Sequence, residues 1–102
     1  MSKDYLIGID IGTSACKVAI FDKNGTVVSS ASGDYPVYYL HQGWAQQKPD
    51  EWWSAVCFAI QKCLKKGEIS GDRIAGVGID GQSWSAIAID QEGNVLTDTP
   101  IW

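Results

Sequence analysis

The stretch Gly8-Ile9-Asp10-Ile11-Gly12-Thr13-Ser14-Ala15-Cys16-Lys17-Val18 places a carboxylate, a glycine, two hydroxyls and an amine within a few residues of one another. A stiff apolar strand would carry Asp10 to its end. Gly12 would then let the backbone turn tightly and expose consecutive N–H groups beside Thr13 and Ser14. Such a turn can hold phosphate oxygens through backbone donors, without a helix dipole. Asp10 suits a hydrated Mg2+, which favours one or two carboxylates together with phosphate oxygens. Lys17 adds a positive charge on the outgoing strand. The same residues also describe a plain hairpin in which Asp10 makes an Asx-turn and the hydroxyls merely decorate it.

The remaining reactive side chains point to less. Cys16, Cys57 and Cys63 are odd in number and show no CxxC spacing, and the one histidine, His41, lies far from them in sequence. That arithmetic supports neither a disulfide framework nor a zinc site. The thiols read as small apolar fillers of a cytoplasmic protein. His41, in an aromatic loop, reads as loop packing rather than a general base. Lys62, Lys65 and Lys66 read as a solvated helix end.

The elements that must position Asp10 follow from the hydrophobic pattern. Residues 5–9 form a nearly continuous apolar run, expected as a strand buried on both faces. Residues 15–21 alternate, with Cys16, Val18 and Ile20 on one face and Lys17, Ala19 and Phe21 on the other. Asp22-Lys23-Asn24-Gly25 signals a hairpin, Asn-Gly being suited to the positive φ angles of a primed turn. Residues 26–31 return as a third strand, which completes an antiparallel meander. A Rossmann unit would instead lead its first glycine turn into a helix. Residues 33–48, rich in aromatics, are expected as an ordered loop rather than a linker.

Pro49 then suits the first position of a helix, and Asp50 and Glu51 suit its positive dipole end. Trp52, Val56, Ala59, Ile60 and Cys63 fall on one face. Trp53 is expected in the core beside Trp52, and Gly67 as the C-cap. Residues 73–79 read as a second buried strand and 85–89 as another, with Asp80 between them as a turn residue. The pattern apolar-Asp-x-x-Gly-x-Val occurs at Phe21–Val27 and again at Ile89–Val95, which suggests one hairpin chemistry used twice.

Composition bounds the answer. The chain has 102 residues, 8 Lys plus Arg against 12 Asp plus Glu, a net charge of −4 and 45% apolar residues. These values fit one globular unit. The acidic balance argues against nucleic acid as a partner. No apolar run approaches the roughly 18 residues of a membrane span, and no secretion signal opens the chain.

The string from Gly8 to Val18 resembles the first phosphate motif of the actin/Hsp70/sugar-kinase ATPase superfamily. Gly43-Trp44-x-Gln46 with Pro49-x-x-Trp52, then Gly76-x-Gly78-Ile79-x-Gly81-Gln82, resemble the FGGY carbohydrate kinases. Thr99-Pro100-Ile101-Trp102 resembles a segment that in that family usually continues into Asp-x-Arg. The resemblance implies a partial α/β, ribonuclease H-like (actin-like ATPase) domain: a three-stranded antiparallel meander, one long helix, then further strands. Residues 1–102 would be the N-terminal part of the first domain, cut from a longer protein, with a second domain absent.

The implied activity is ATP-dependent phosphorylation of a sugar hydroxyl, on a ketose such as xylulose or a related pentulose or hexulose. By carry-over, Asp10 would organise Mg2+, and Gly12, Thr13, Ser14 and Lys17 would lie near the phosphates of ATP. Gln82, Ser83 and Trp84 would contact the sugar. Xylulose kinases typically read Gln-Met-His at that point and glycerol kinases Gln-Arg-Glu, so Gln82-Ser83-Trp84 departs from both. The tryptophan face suits apolar C–H patches of a sugar; a core aromatic is the other reading of Trp84. The family's catalytic base lies downstream, so these residues alone are expected to be inactive. A homodimer of the full-length parent is compatible with the resemblance. The alternative function is a non-catalytic nucleotide-binding or regulatory module.

Overall fold

A computed structural model describes residues 2–83 and 85–101. Strands β1 (Tyr5–Ile11), β2 (Ala15–Phe21) and β3 (Val27–Asp34) form the antiparallel meander. The two-residue strand β4 (Gln46–Gln47) precedes helix α1 (Pro49–Gly67), and a single 3-10 turn leads into β5 (Ile74–Gly81). The four long strands make one sheet in the order β3-β2-β1-β5, with β5 parallel to β1. A short second sheet pairs β4 with β6 (Thr99–Pro100).

The turn between β2 and β3 shows how sequence becomes register. Asp22 accepts at Oδ1 from the N–H groups of Asn24 and Thr26, and its carbonyl accepts from Gly25. Gly25 alone has positive φ, at 83°. The turn is therefore a three-residue loop closed by a left-handed glycine, not the primed two-residue turn expected from Asn-Gly. A separate irregularity follows at Val28, which the register skips between Phe21↔Val27 and Ile20↔Ser29. Asp90 repeats each of these bonds, with Gly93 at φ 86°. Residues 85–89 nevertheless form no strand beyond an isolated bridge from Ile89 to Val95. The turn chemistry closes by itself, whereas a strand needs a neighbour.

Helix α1 lies across β2 and β3 and touches β1 only at its margin. Ile7, Ile9, Cys16, Val18 and Ile20 meet Ala55, Val56, Ala59 and Cys63 there, in the core. The approach is close: a Cβ on Gly33 would stand 2.6 Å from the Ala55 carbonyl oxygen. Ser29, itself buried, donates from Oγ to the Cys63 carbonyl at 2.7 Å. Trp53 points away from the core at 69% exposed, since only Trp52 of the pair shares the buried face.

The helix ends one residue later than expected. Glu68 is the left-handed residue, at φ 54°, and its N–H and that of Ile69 satisfy the last carbonyls. Gly67 is instead a packing glycine, where a Cβ would come within 3.0 Å of Ser29 Cβ.

Two strand expectations need correction. Strand β1 is buried on one face only, because Ile7 and Ile9 meet the helix while Leu6 and Asp10 stay open. Strand β5 is mostly exposed. Val77 and Ile79 share the face of Ile7 and Ile9 by register, yet lie 60% and 66% exposed, since α1 does not reach them.

An ion cluster fastens the starts of β1 and β5. Asp4 accepts from Ser2 Oγ at 2.7 Å and pairs with Arg73 Nη2 at 2.6 Å and Lys23 Nζ at 3.3 Å. The Ser2 hydroxyl, then Arg73 and Lys23, hold the Asp4 carboxyl down from 3.8 to about 2.

Two outcomes follow from this packing. Gly33→Ala must push α1 off β3 and should cost about 1–3 kcal/mol in denaturant unfolding; an unchanged midpoint would show that the helix can shift freely. A carboxyl with a lowered folded value stabilises above its unfolded value and loses that contribution as pH falls through its folded one. Asp4→Asn should therefore lower Tm slightly at pH 7, the pair being solvent-screened. The gap from wild type should close between pH 4 and pH 2, and a gap independent of pH would remove the ion cluster as its cause.

Candidate functional site

The face of the sheet opposite α1 carries a polar row across the strands. Register places Asp80 beside Asp10, Asp10 beside Lys17 and Lys17 beside Ser32. The next row is Gly78, Gly8, Ala19 and Ser30. These small side chains leave an open trough of about 890 Å³, bounded by the charged row and, on the other side, by Phe21. Lys62 and Lys66 border it as well, and Lys66 Nζ donates to the Ser30 carbonyl at 3.1 Å. Lys62, Lys65 and Lys66 are all exposed, as expected of a solvated helix end, and Lys66 in addition reaches the sheet.

Asp80 is not a turn residue but a strand residue in parallel register with Asp10. A hydrogen bond to Asp10, then the like charge of that carboxylate, holds the Asp80 carboxyl above its usual range. Two exposed carboxylates this close form a hard oxygen donor set, and that chemistry fits a divalent cation such as Mg2+. No cluster of three or more His, Cys, Asp or Glu side chains suited to a metal occurs among the described residues. The remaining ligands would have to be water or oxygens of a bound molecule.

The turn after β1 is held from one side. Gly12 N–H donates to the Ala15 carbonyl at 3.0 Å, so that amide is spent inside the turn. The carbonyls of Gly12, Thr13 and Ser14 are each tied to groups behind them. Gly12 O accepts from Tyr35 Oη and, at 3.1 Å, from Gln82 Nε2. Thr13 O accepts from Gln47 Nε2, and Ser14 O from the Tyr35 N–H at 3.3 Å. In a trans peptide the C=O and the following N–H point in opposite directions. Tying the carbonyls of Gly12 and Thr13 therefore turns the N–H groups of Thr13 and Ser14 the other way. Both residues are exposed.

The groups behind the turn are themselves held. Gln47 is 1% exposed. Its Oε1 accepts from Trp52 Nε1 at 3.0 Å and from Gln82 Nε2 at 2.9 Å, and its Nε2 also reaches the Pro36 carbonyl at 3.4 Å. Burial, then the nearby Cys16 and Asp10, push the Tyr35 phenol up to about 12, so it stays protonated and donates. Burial also raises the Cys16 thiol, which keeps it inert. All three cysteines are free.

The structure thus brings Asp10, Gly12, Thr13, Ser14, Lys17 and Gln82 to one end of the sheet. Gln82 arrives with its amide turned onto the Gly12 carbonyl and Gln47. Ser83 is exposed, and Trp84 lies outside the described residues. Gln47 and Tyr35 were not legible as site residues: Trp44-Ala45-Gln46-Gln47-Lys48 shows no apolar alternation that marks a strand, and the fold alone buries Ala45 and Gln47. His41 packs edge-on to Trp44, with ring centroids 4.4 Å apart, as a loop residue would.

Residues 5–102 match the FGGY family of carbohydrate kinases, N-terminal domain. The chain belongs to that family. It is 32% identical over its whole length to a xylulose kinase of Staphylococcus epidermidis, covering 21% of that protein. It is 28% identical over 96% of its length to a glycerol kinase of Thermococcus gammatolerans, covering 20% of it. The crystal structure of a xyloylose kinase from Brucella ovis matches 94% of the chain and 20% of its own, with a TM-score of 0.89 and 31% identity. The chain therefore spans about a fifth of the length of the FGGY relatives it matches. The expected actin-like ATPase fold holds: a meander, one long helix and a strand returning parallel to the first. No helix among the described residues is long and apolar enough to cross a membrane.

Proposed function

We propose that these residues form the phosphate-gripping part of an ATP-dependent carbohydrate kinase. One observation carries the reading: the turn's carbonyls are tied from behind, which turns the amides of Thr13 and Ser14 outward at the end of the strand that carries Asp10. Those amides would take phosphate oxygens of ATP, and Lys17, opposite Asp10 in register, would add a positive charge. Asp10, with Asp80 beside it, would hold Mg2+. When bound, the cation would neutralise charge on the phosphates being transferred.

The sugar side is proposed to involve Ser83 and Trp84. Similarity to xylulose kinases supports a ketose such as xylulose or a related pentulose or hexulose, while the glycerol kinase likeness keeps polyols in view. Of the residues lining the trough, only Asp10 and Asp80 are carboxylates, and both are engaged with each other. Membership of the family supports a base that lies downstream of these residues and accepts the sugar hydroxyl's proton, and the 102-residue chain alone is expected to turn nothing over.

The test is a panel of ketoses, aldoses and polyols run with ATP and Mg2+ on the full-length protein and two variants. Wild type should phosphorylate a ketose best. Asp10→Asn should lower kcat on the order of 100-fold with a small change in sugar KM. Trp84→Ala should alter the ranking of sugars. ATP binding without turnover of any sugar would favour a nucleotide-binding module instead, and full activity in Asp10→Asn would remove Asp10 from the metal role.

A further inference from the structure

We propose that Gln47 and Gln82 are positioning residues for the nucleotide turn, and that Gln82 fastens the segment it belongs to onto that turn rather than reading the sugar. The inference rests on the kinase reading above and deepens it. Its basis is the bonding of two side-chain amides. Gln82 Nε2 reaches both the Gly12 carbonyl, at 3.1 Å, and Gln47 Oε1, at 2.9 Å. Gln47 Nε2 reaches the Thr13 carbonyl.

The orientation of the Gln47 amide is chemically determined. An indole N–H only donates, so Trp52 Nε1 at 3.0 Å requires the Gln47 oxygen on its side. That leaves the Gln47 nitrogen facing Thr13 O. Gln82 must then present its own nitrogen to the Gln47 oxygen, and the same nitrogen faces Gly12 O. Trp52 and Gln82 thus both donate to the Gln47 oxygen, and the two amide nitrogens end on the Gly12 and Thr13 carbonyls, whose peptide planes set where the Thr13 and Ser14 N–H groups point.

Both N–H groups of the Gln82 amide nitrogen are thereby committed within the protein. With both donors spent on the turn and on Gln47, Gln82 acts on the sugar side through the placement of the backbone that follows it, and its Oε1 is the one side-chain group left to accept a hydrogen bond. Gln82 is half-buried and Gln47 fully buried, so Gln82 variants perturb folding less and carry the decisive measurement. Methionine keeps the approximate length and volume of glutamine while removing the donors.

The experiment measures KM for ATP, KM for the best sugar, kcat and Tm for full-length wild type, Gln82→Met, Gln47→Met and the double variant. Loss of one or two hydrogen bonds should raise KM for ATP about five- to tenfold in each single variant. KM for the sugar should stay within about twofold, the change expected when no direct contact is removed. Because the two amides act as one unit, the double variant should be no worse than Gln47→Met alone. A rise in sugar KM with ATP KM unmoved would make Gln82 a sugar contact and overturn the proposal. Additive losses in the double variant would overturn it too, by showing that the amides act separately. Wild-type protein that neither binds ATP nor phosphorylates a sugar would overturn the kinase reading and this inference together, whereas an active wild type with unaffected variants overturns this inference alone.

Discussion

The rest of the site depends on a backbone turn gripped by its carbonyls. A loop of two exposed residues is ordinarily free to rotate its peptide planes, and each rotation would exchange an outward amide for an outward carbonyl. Here Tyr35, Gln47 and Gln82 occupy the carbonyl side of the planes at Gly12 and Thr13. Rotating either plane would strand buried donors, at a cost of about 1–3 kcal/mol for each group left unsatisfied. That penalty fixes the polarity of the turn: donors outward, acceptors inward. Binding an anion then requires little reorganisation.

The supporting elements can be understood from that demand. The Tyr38–Gln46 bridge and the β4–β6 pair hold residues 46 and 47 in extended backbone. Lys48 ends that segment, with its Nζ 3.0 Å from Asp98 Oδ1, and Pro49 opens the helix. Tyr38 Oη donates to Glu51 at 2.9 Å and so ties the loop to the first turn of α1. Trp52 then lies one helical turn from Lys48, within reach of the Gln47 oxygen. The helix does two jobs through different residues. Its buried stripe closes the core over β2 and β3, while its first turn orients the amide behind the nucleotide turn. The opposite face of the sheet is left with glycine, alanine and serine in the middle, which keeps it open.

Much of this was legible from local chemistry. The meander, the helix from Pro49 and the free thiols follow from alternation, capping and cysteine spacing, and these patterns act over a few residues. The aspartate-glycine hairpins were legible as turns, although the side chain of Asp22 and not a primed Asn-Gly pair sets their form. What stayed hidden depends on which neighbour arrives. The apolar run in β5 reads as buried because Val77 and Ile79 are apolar, but burial requires a layer, and α1 crosses elsewhere. Asp80 reads as a turn residue until parallel register brings it beside Asp10, 70 positions earlier in the chain. Gln47 reads as one more polar loop residue. Its importance comes from contacts with Thr13, Trp52 and Gln82, and spacing along the sequence encodes none of them.

The chemical identity of residue 47 can be argued from its neighbours. On one side stands an indole that only donates, and on the other a carbonyl that only accepts, so the residue between them must accept and donate at once. A lysine would serve the carbonyl but leave the indole unanswered, and would bury a charge. A carboxylate would serve the indole but face Thr13 O with a lone pair, and would set a negative charge behind a turn meant for phosphate. Neutral histidine has the right pair of functions, yet its protonation near pH 6.5 would replace the acceptor with a second donor and make the turn's geometry depend on pH. An amide has both functions and does not titrate in this range. Glutamine also has the reach that asparagine lacks, and so meets the requirement that Trp52 and Thr13 jointly impose.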